Sequence, residues 1–232
     1  MTTSSVDETA RAERLLEAQS MARRLFDSIE ESGLIRAGIS ERQASDEVRD
    51  LAAEALGVTR HWHKRVIRAG ANSLLPYHAN PPDRVIEPDD IVYADLGPIF
   101  AEWEADFGRT YVLGSDPEKL RLQATLPILF GAGKAFFEAT AAITGEQMFD
   151  FMVGEADRHG WAWGGTIAGH LVGEFPHDLA EGDDDYSRIT AGNNRAMRGV
   201  DRTGKVCHWI LEVHIVDRDR EIGGFYEELL DL

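Results

Sequence analysis

Five residues stand out for the chemistry that their types and settings allow: Asp95, Asp106, His170, Glu212 and Glu227. Asp95 ends the apolar run Asp90-Ile-Val-Tyr-Ala-Asp95, and Asp106 sits in Glu104-Ala-Asp-Phe-Gly-Arg-Thr110. If the chain turns as a hairpin at Phe100-Ala101, the two aspartates oppose each other and point to one face of a sheet. Like charges that close repel, and one takes up a proton unless a divalent cation reverses the balance. Two unrelated surface acids would read the same way. Glu212 interrupts Trp209-Ile-Leu-Glu-Val-His-Ile-Val216, where Trp209, Leu211, Val213 and Ile215 share one strand face and Ile210, Glu212, His214 and Val216 the other. Buried there, its carboxylate needs a cation or a proton; an edge strand with one wet face is the alternative. Glu227 occupies a similar strand-like run after Gly223-Gly-Phe-Tyr. His170 and His177 flank the loop Gly169-His-Leu-Val-Gly-Glu-Phe-Pro-His177. A neutral imidazole is a metal ligand and a proton carrier near neutral pH, though two loop histidines without a role fit equally. Four carboxylates and an imidazole can hold two divalent ions such as manganese, iron, cobalt or zinc. Two ions about 3.5–4 Å apart can activate a bridging water and clamp a carbonyl oxygen.

The elements that must position these residues follow from periodicity and capping signals. Glu8 to Ile35 is helical, with Leu15, Ala18, Ala22 and Phe26 on one face, and Ser40 with Gln43 opens a second helix to about Leu56. Val66 to Leu75 reads as a strand leading into a loop, and the four prolines of Pro76 to Pro88 exclude regular structure there. Ile91 to Ile99 and Glu102 to Leu113 form the hairpin. Ser115 with Glu118 is a capping box for a long helix to about Ala142, in which Pro127 marks a kink, and Thr144 with Gln147 caps another that ends at His159-Gly160. Gly164 to Gly192 is loop-rich; its run Glu181-Gly-Asp-Asp-Asp185 reads as a solvated loop, with a calcium site as the sharper alternative. Val206 to Val216 and Ile222 to Leu230 are closing strands. The expectation is one α+β domain over residues 1–232, with residues 1–60 as its N-terminal helices.

Composition removes several classes. With 24 Lys+Arg against 41 Asp+Glu, the 232-residue chain carries a formal charge of −17, which argues against nucleic acid or an anionic membrane as the main partner. The single cysteine, Cys207, excludes an intramolecular disulfide and fits a small strand residue in a reducing, cytoplasmic setting. The first twenty residues have no apolar core of the signal-peptide kind, and no segment is long and uncharged enough to span a bilayer. His61 and His63 read as a half-buried strand end, with a pocket-lining role as the alternative. His214 reads either as a support for Glu212 or as a satisfied core histidine.

The order and spacing of Asp95, Asp106, His170, Glu212 and Glu227, the segment Gly169-His-Leu-Val-Gly173 and a second histidine seven residues after His170 resemble one family. It is the methionine aminopeptidase, aminopeptidase P and prolidase group of metallopeptidases, and the resemblance runs from about Val66 to Leu230. It implies the pita-bread fold, a curved antiparallel sheet backed by helices. It also implies that Asp95 chelates one metal, that Asp106 and Glu227 bridge two, and that His170 and Glu212 hold the second. His78, in Pro76-Tyr-His78, matches a histidine that contacts substrate, His177 one that binds the peptide carbonyl or stabilises the tetrahedral intermediate, and Glu212 the acid/base partner of the bridging water. Asp106 to Thr110 and His177-Asp178 look more like the proline-specific branch than the methionine branch. Two departures are expected to matter: Val213 follows Glu212 where the family has proline, and the extra N-terminal domain of aminopeptidase P and prolidase has no counterpart.

The function so implied is a dinuclear metal-dependent hydrolase that removes an N-terminal residue from a short peptide through a metal-bridging hydroxide. Its cofactors would be two divalent metal ions (manganese, iron, cobalt or zinc), its partners a short peptide or small amide-like substrate, with assembly into a homo-oligomer left open. A small-molecule C–N hydrolase or lyase on the same fold, as in creatinase, is the alternative. A non-catalytic binding homologue is the second.

Overall fold

A computed structural model describes residues 5–177 and 185–232. Two helices come first, α1 (Ser5–Glu31) and α2 (Glu41–Leu56). Ala18, Ala22, Leu25, Phe26 and Ile29 make one buried stripe along α1, and the small residues Ala44 and Ala52 with Val48 do the same for α2. Ser40 accepts from the Gln43 backbone N–H at 3.2 Å, while the Gln43 side chain turns to Glu47 instead of closing a capping box. Strand β1 (Val66–Ala69) leads into a short 3-10 turn, Gly70–Leu74. The proline-rich stretch after it is irregular, as its composition requires.

Strands β2 (Ile91–Leu96) and β5 (Phe107–Val112) pair antiparallel, and a small ribbon of β3 (Ile99–Phe100) and β4 (Trp103–Glu104) extends from them. The turn differs from the sequence expectation. It lies at Ala101-Glu102, both with positive φ (48° and 72°), one residue later than Phe100-Ala101. Such turns match the twist of the flanking strands but carry their usual signal in Gly or Asn, which this one lacks. Asp95 therefore faces Gly108 and not Asp106. Moving a turn centre by one residue moves the partner by two, so the face is kept, and Asp106 stays beside Asp95, one pleat along.

Helices α3 (Pro117–Ala139) and α4 (Gly145–Arg158) follow. Asp116, not Ser115, caps α3, accepting from Glu118 and Lys119 N–H at 2.8 and 3.1 Å, with Pro117 at the first helical position. The helix runs on past Pro127. Thr144 and Gln147 form the full reciprocal box on α4. Strand β6 (Ala162–Trp163) comes next, and the segment from Gly164 expected to be loop-rich contains β7 (Ile167–Val172) and β8 (Arg188–Thr190); most of Glu181 to Asp185 lies outside the described residues. Strands β9 (His208–Asp217) and β10 (Ile222–Leu229) close the chain.

The main sheet runs β1-β2-β5-β10-β9-β7-β8, with β6 on β9, and every ladder in it is antiparallel. One helix pair backs each half. Residues of α1 and α2 share a core with Val92, Ala94, Leu96 and Phe107. Residues of α3 and α4 share another with Trp209, Leu211, Val213 and Ile215. The strand face expected to be apolar on β9 is thus the one under the helices, and the face bearing Glu212 is turned away from them. Among the described residues no helix is long and apolar enough to cross a membrane.

One polar tie joins the first helix to the last strands. His208 is buried, with Nε2 2.8 Å from Glu8 and Nδ1 2.9 Å from Asp231. Arg11 pairs with the other oxygen of Glu8 at 2.5 Å. Burial opposes charge on the ring, but the Asp231 and Glu8 carboxylates overcome it and raise its pKa. A raised folded-state pKa stabilises the fold below the unfolded value of about 6.5, and the gain is lost as pH rises through the folded value. We therefore expect the stability lost in His208→Gln, measured by urea denaturation, to be larger at about pH 6 than at about pH 9. An equal loss at both would show that the ring is not charged in the fold.

Candidate functional site

On the sheet face turned away from the helices, strand register lines up three acids. Asp95 on β2 pairs with Gly108 on β5, Gly108 with Glu227 on β10, and Glu227 with Glu212 on β9. Directly opposed residues in adjacent strands point the same way, so three carboxylates stand in one row across four strands, with a glycine between. Asp106 joins them from just before β5. Glu212 is half-buried and the other three are buried.

His170 enters from β7. Gly169 before it has φ +138°, and a Cβ there would lie 2.0 Å from the Ile210 carbonyl oxygen, so only glycine lets β7 approach β9 this closely. His170 Nε2 lies 3.0 Å from Asp106, 3.6 Å from Glu212 and 4.0 Å from Glu227. All five residues singled out by sequence therefore meet in one place. They line a single cavity of about 560 Å³ together with His78 and His177.

Three other members lie outside the ligand set read from the sequence, where a pocket-lining role was only the alternative reading for His63. His63, read as a strand end, precedes β1 in irregular chain and points inward: Nε2 is 3.1 Å from Asp106 and 3.5 Å from Asp95. Trp62 presents edge contacts to His63, His170 and His177, with ring centroids 4.5, 5.3 and 5.5 Å away. Glu104 is 1% exposed and anchors the loop after β7: it accepts from the His177 backbone N–H at 3.2 Å and pairs with His177 Nδ1. The only hint in the sequence was position, since His63 precedes a strand and Glu104 lies two residues before Asp106.

The remaining candidates separate. His78 is exposed on the cavity rim, while its neighbour Tyr77 stacks edge-on with His63 at 5.6 Å. Buried Arg68 fixes the loop that carries both, donating to the carbonyls of Pro76 and Ala79 at 2.8 and 2.7 Å. His214 is buried in the cavity wall with Nε2 2.9 Å from the Ser73 carbonyl, and burial pushes its pKa down to about 4. It is a neutral, satisfied ring and not a partner of Glu212. His61 does not line the cavity. Cys207 is buried and accepts from Arg195 at 3.0 Å. Asp178 lies outside the described residues.

The electrostatics are unfavourable for a protein alone. Burial, together with neighbouring acids, pushes Asp95 and Glu212 up to about 7 and Glu227 well above the usual carboxylate range. Burial also opposes the charge on Asp106, but His63 and His170 overcome it and hold that carboxyl low. One oxygen of Glu227 is buried with no hydrogen-bond partner among the described residues. An orphaned carboxyl oxygen in a nest of carboxylates is the pattern a divalent cation resolves. The donor atoms fall into two groups, His63–Asp95–Asp106 and Asp106–His170–Glu227, each within 4.8 Å and sharing Asp106. Carboxylate and imidazole donors suit manganese, iron, cobalt or zinc.

The family model of metallopeptidase family M24 matches residues 13–214. The Xaa-Pro dipeptidase of Lactobacillus helveticus is 25% identical over 164 residues, which are 70% of this chain and 42% of that protein. An X-Pro aminopeptidase structure from Thermotoga maritima matches with a TM-score of 0.74 at 20% identity, over 96% of this chain and 59% of the other. A prolidase from Thermococcus sibiricus gives 0.71 at 19%, over 97% and 56%. A methionine aminopeptidase from Rickettsia prowazekii gives 0.67 at 16%, over 94% and 96%. The chain thus spans under half of the dipeptidase, rather more than half of the two proline-specific structures and nearly all of the methionine aminopeptidase. At these identities the structural likeness is one of fold.

The repulsion in the cavity has a measurable sign. Glu227→Gln keeps the shape and removes a charge, so the metal-free variant should melt higher than the metal-free wild type. Adding manganese or zinc at about a hundredfold excess over its dissociation constant should stabilise the wild type by about 2.7 kcal/mol, and the variant by much less. A variant that melts lower without metal would mean the carboxylates are not in conflict.

Proposed function

The chain belongs to metallopeptidase family M24, and on that premise we propose that it is a two-ion peptidase that removes the N-terminal residue from short peptides, with substrates of the Xaa-Pro type. The observation that carries the two-ion reading is the pair of donor groups sharing Asp106 inside one cavity, beside the unpartnered Glu227 oxygen. The Xaa-Pro preference is taken from the relatives' activities, the Lactobacillus dipeptidase being the match in sequence.

In this reading Asp95, Asp106, His170, Glu212 and Glu227 would hold the ions, Asp106 being the residue common to both donor groups. The ions supply Lewis acidity, polarising a peptide carbonyl and making water more acidic. The protein's own groups do the rest. Glu212, less fully buried than its packed strand neighbours, is the proton carrier: it takes a proton from the attacking water and delivers it to the leaving amine. His177 donates from Nδ1 to the Glu104 carboxylate, and in the imidazolium form, with a proton on both nitrogens, it would also donate from Nε2 to the carbonyl oxygen as negative charge develops there. Trp62, packed against three histidine rings, keeps that wall dry and rigid. Tyr77 and His78, on the loop that Arg68 fixes, contact the substrate at the rim.

Two measurements test this. Asp106→Ala should lose both ions and all activity, read by elemental analysis beside hydrolysis of Xaa-Pro peptides; activity that survives would remove the two-ion reading. His177→Ala should keep its metal content and lose roughly 10²–10³-fold in kcat, the cost of one oxyanion donor. The same assay on Met-Xaa peptides and on non-peptide C–N substrates reports the preference, and hydrolysis of the last class alone would assign a small-molecule hydrolase instead.

A further inference from the structure

His63 repeats, on the other side of Asp106, the arrangement of His170. Each ring has Nδ1 2.7 Å from the carbonyl oxygen of the following residue, Lys64 for His63 and Leu171 for His170. A carbonyl oxygen only accepts, so Nδ1 carries the proton and donates in both rings. In the neutral tautomer this assigns, Nε2 presents a lone pair, and both Nε2 atoms face the acids. His63 reaches one oxygen of Asp106 at 3.1 Å and His170 reaches the other at 3.0 Å. An N–H···O=C anchor on the far nitrogen is the usual support of a metal-bound imidazole, because it fixes both tautomer and ring plane.

The ring is also built into its place. The His63 side chain is 7% exposed. Gly97 leaves the space for it, since a Cβ there would lie 2.1 Å from the ring, and Trp62 and Tyr77 present edge contacts to it. His63 lines the same cavity as the acids, and within it the ring aims Nε2 at Asp95 and Asp106.

We propose that His63 is a sixth protein ligand, completing with Asp95 and Asp106 the first of the two cation sites, so that each ion receives one imidazole. This rests on the two-ion reading above. A nitrogen donor on both sides favours borderline ions such as zinc, cobalt or iron over harder manganese.

Cobalt(II) is the probe. In the cobalt-loaded full chain, the Nδ1–H proton of each coordinated imidazole is shifted far outside the normal proton NMR range. The wild type should bind two cobalt ions and show two such exchangeable signals, one of which disappears in His63→Phe. The variant should keep one ion tightly and bind the other on the order of 10–100-fold more weakly. Two bound ions with a single shifted N–H signal in the wild type would overturn the proposal alone, leaving His63 as a hydrogen-bond partner of Asp106. No bound cobalt would overturn the two-ion reading and this assignment with it. The wild-type signal count decides the matter even if His63→Phe does not fold.

Discussion

Four carboxylates converge on one face of this sheet because antiparallel pairing leaves three of them no other direction in which to point. Asp95, Glu227 and Glu212 are locked into one row by the ladders β2–β5–β10–β9, and Asp106 enters beside them from the short ribbon at the hairpin tip. Backbone pairing runs through the same residues, so the acids cannot move apart without breaking strands that also carry the core. The repulsion is thereby built in. It is relieved in part by His63 and His170 on either side of Asp106, and what remains is the driving force for binding cations.

The rest of the architecture keeps that row in place. Behind the sheet, α1 with α2 and α3 with α4 bury the opposite strand faces, which fixes which residues look into the cavity. Because side chains alternate along a strand, burying Leu211 and Val213 under the helices obliges Glu212 to face the other way. Around the rim, polar side chains buried by the fold act as anchors: Arg68 collects the carbonyls of the loop carrying Tyr77 and His78, and Glu104 holds the loop carrying His177. Several of the aromatic rings in the cavity meet at Trp62, so the imidazoles are held by packing as well as by hydrogen bonds.

Family membership sits comfortably with this arrangement, since the family model spans most of the chain. The comparisons also mark where this chain has its own character. It covers nearly all of the methionine aminopeptidase structure, and it is also similar in sequence to an Xaa-Pro dipeptidase of which it spans 42%. Val213 follows Glu212 inside a regular stretch of β9, where it packs into the helix-side core. The local consequence is an unbroken ten-residue strand beneath the site.

Which residue types could meet, and on which strand faces they lay, is legible in the order of the amino acids. Alternation placed Glu212 opposite the apolar face of its strand, capping signals located α2 and α4, and the spacing of two aspartates, a histidine and two glutamates carried the family resemblance. These features are local, or depend on periodicities that survive a small error in register; the hairpin turn was misplaced by one residue, yet Asp95 and Asp106 kept a common face because the partner shifted by two. Tertiary structure alone decided the rest. His63 and Glu104 are far from His170 and His177 along the chain, and only their positions before a strand and before Asp106 hint at a role. They became part of the site when packing on Gly97, Trp62 and the loop after β7 brought them within hydrogen-bond distance of its acids and imidazoles. The same packing left His214 to Ser73 and turned His78 to the rim, because a side chain's role in a site is set by what the folded chain places within a few ångströms of it.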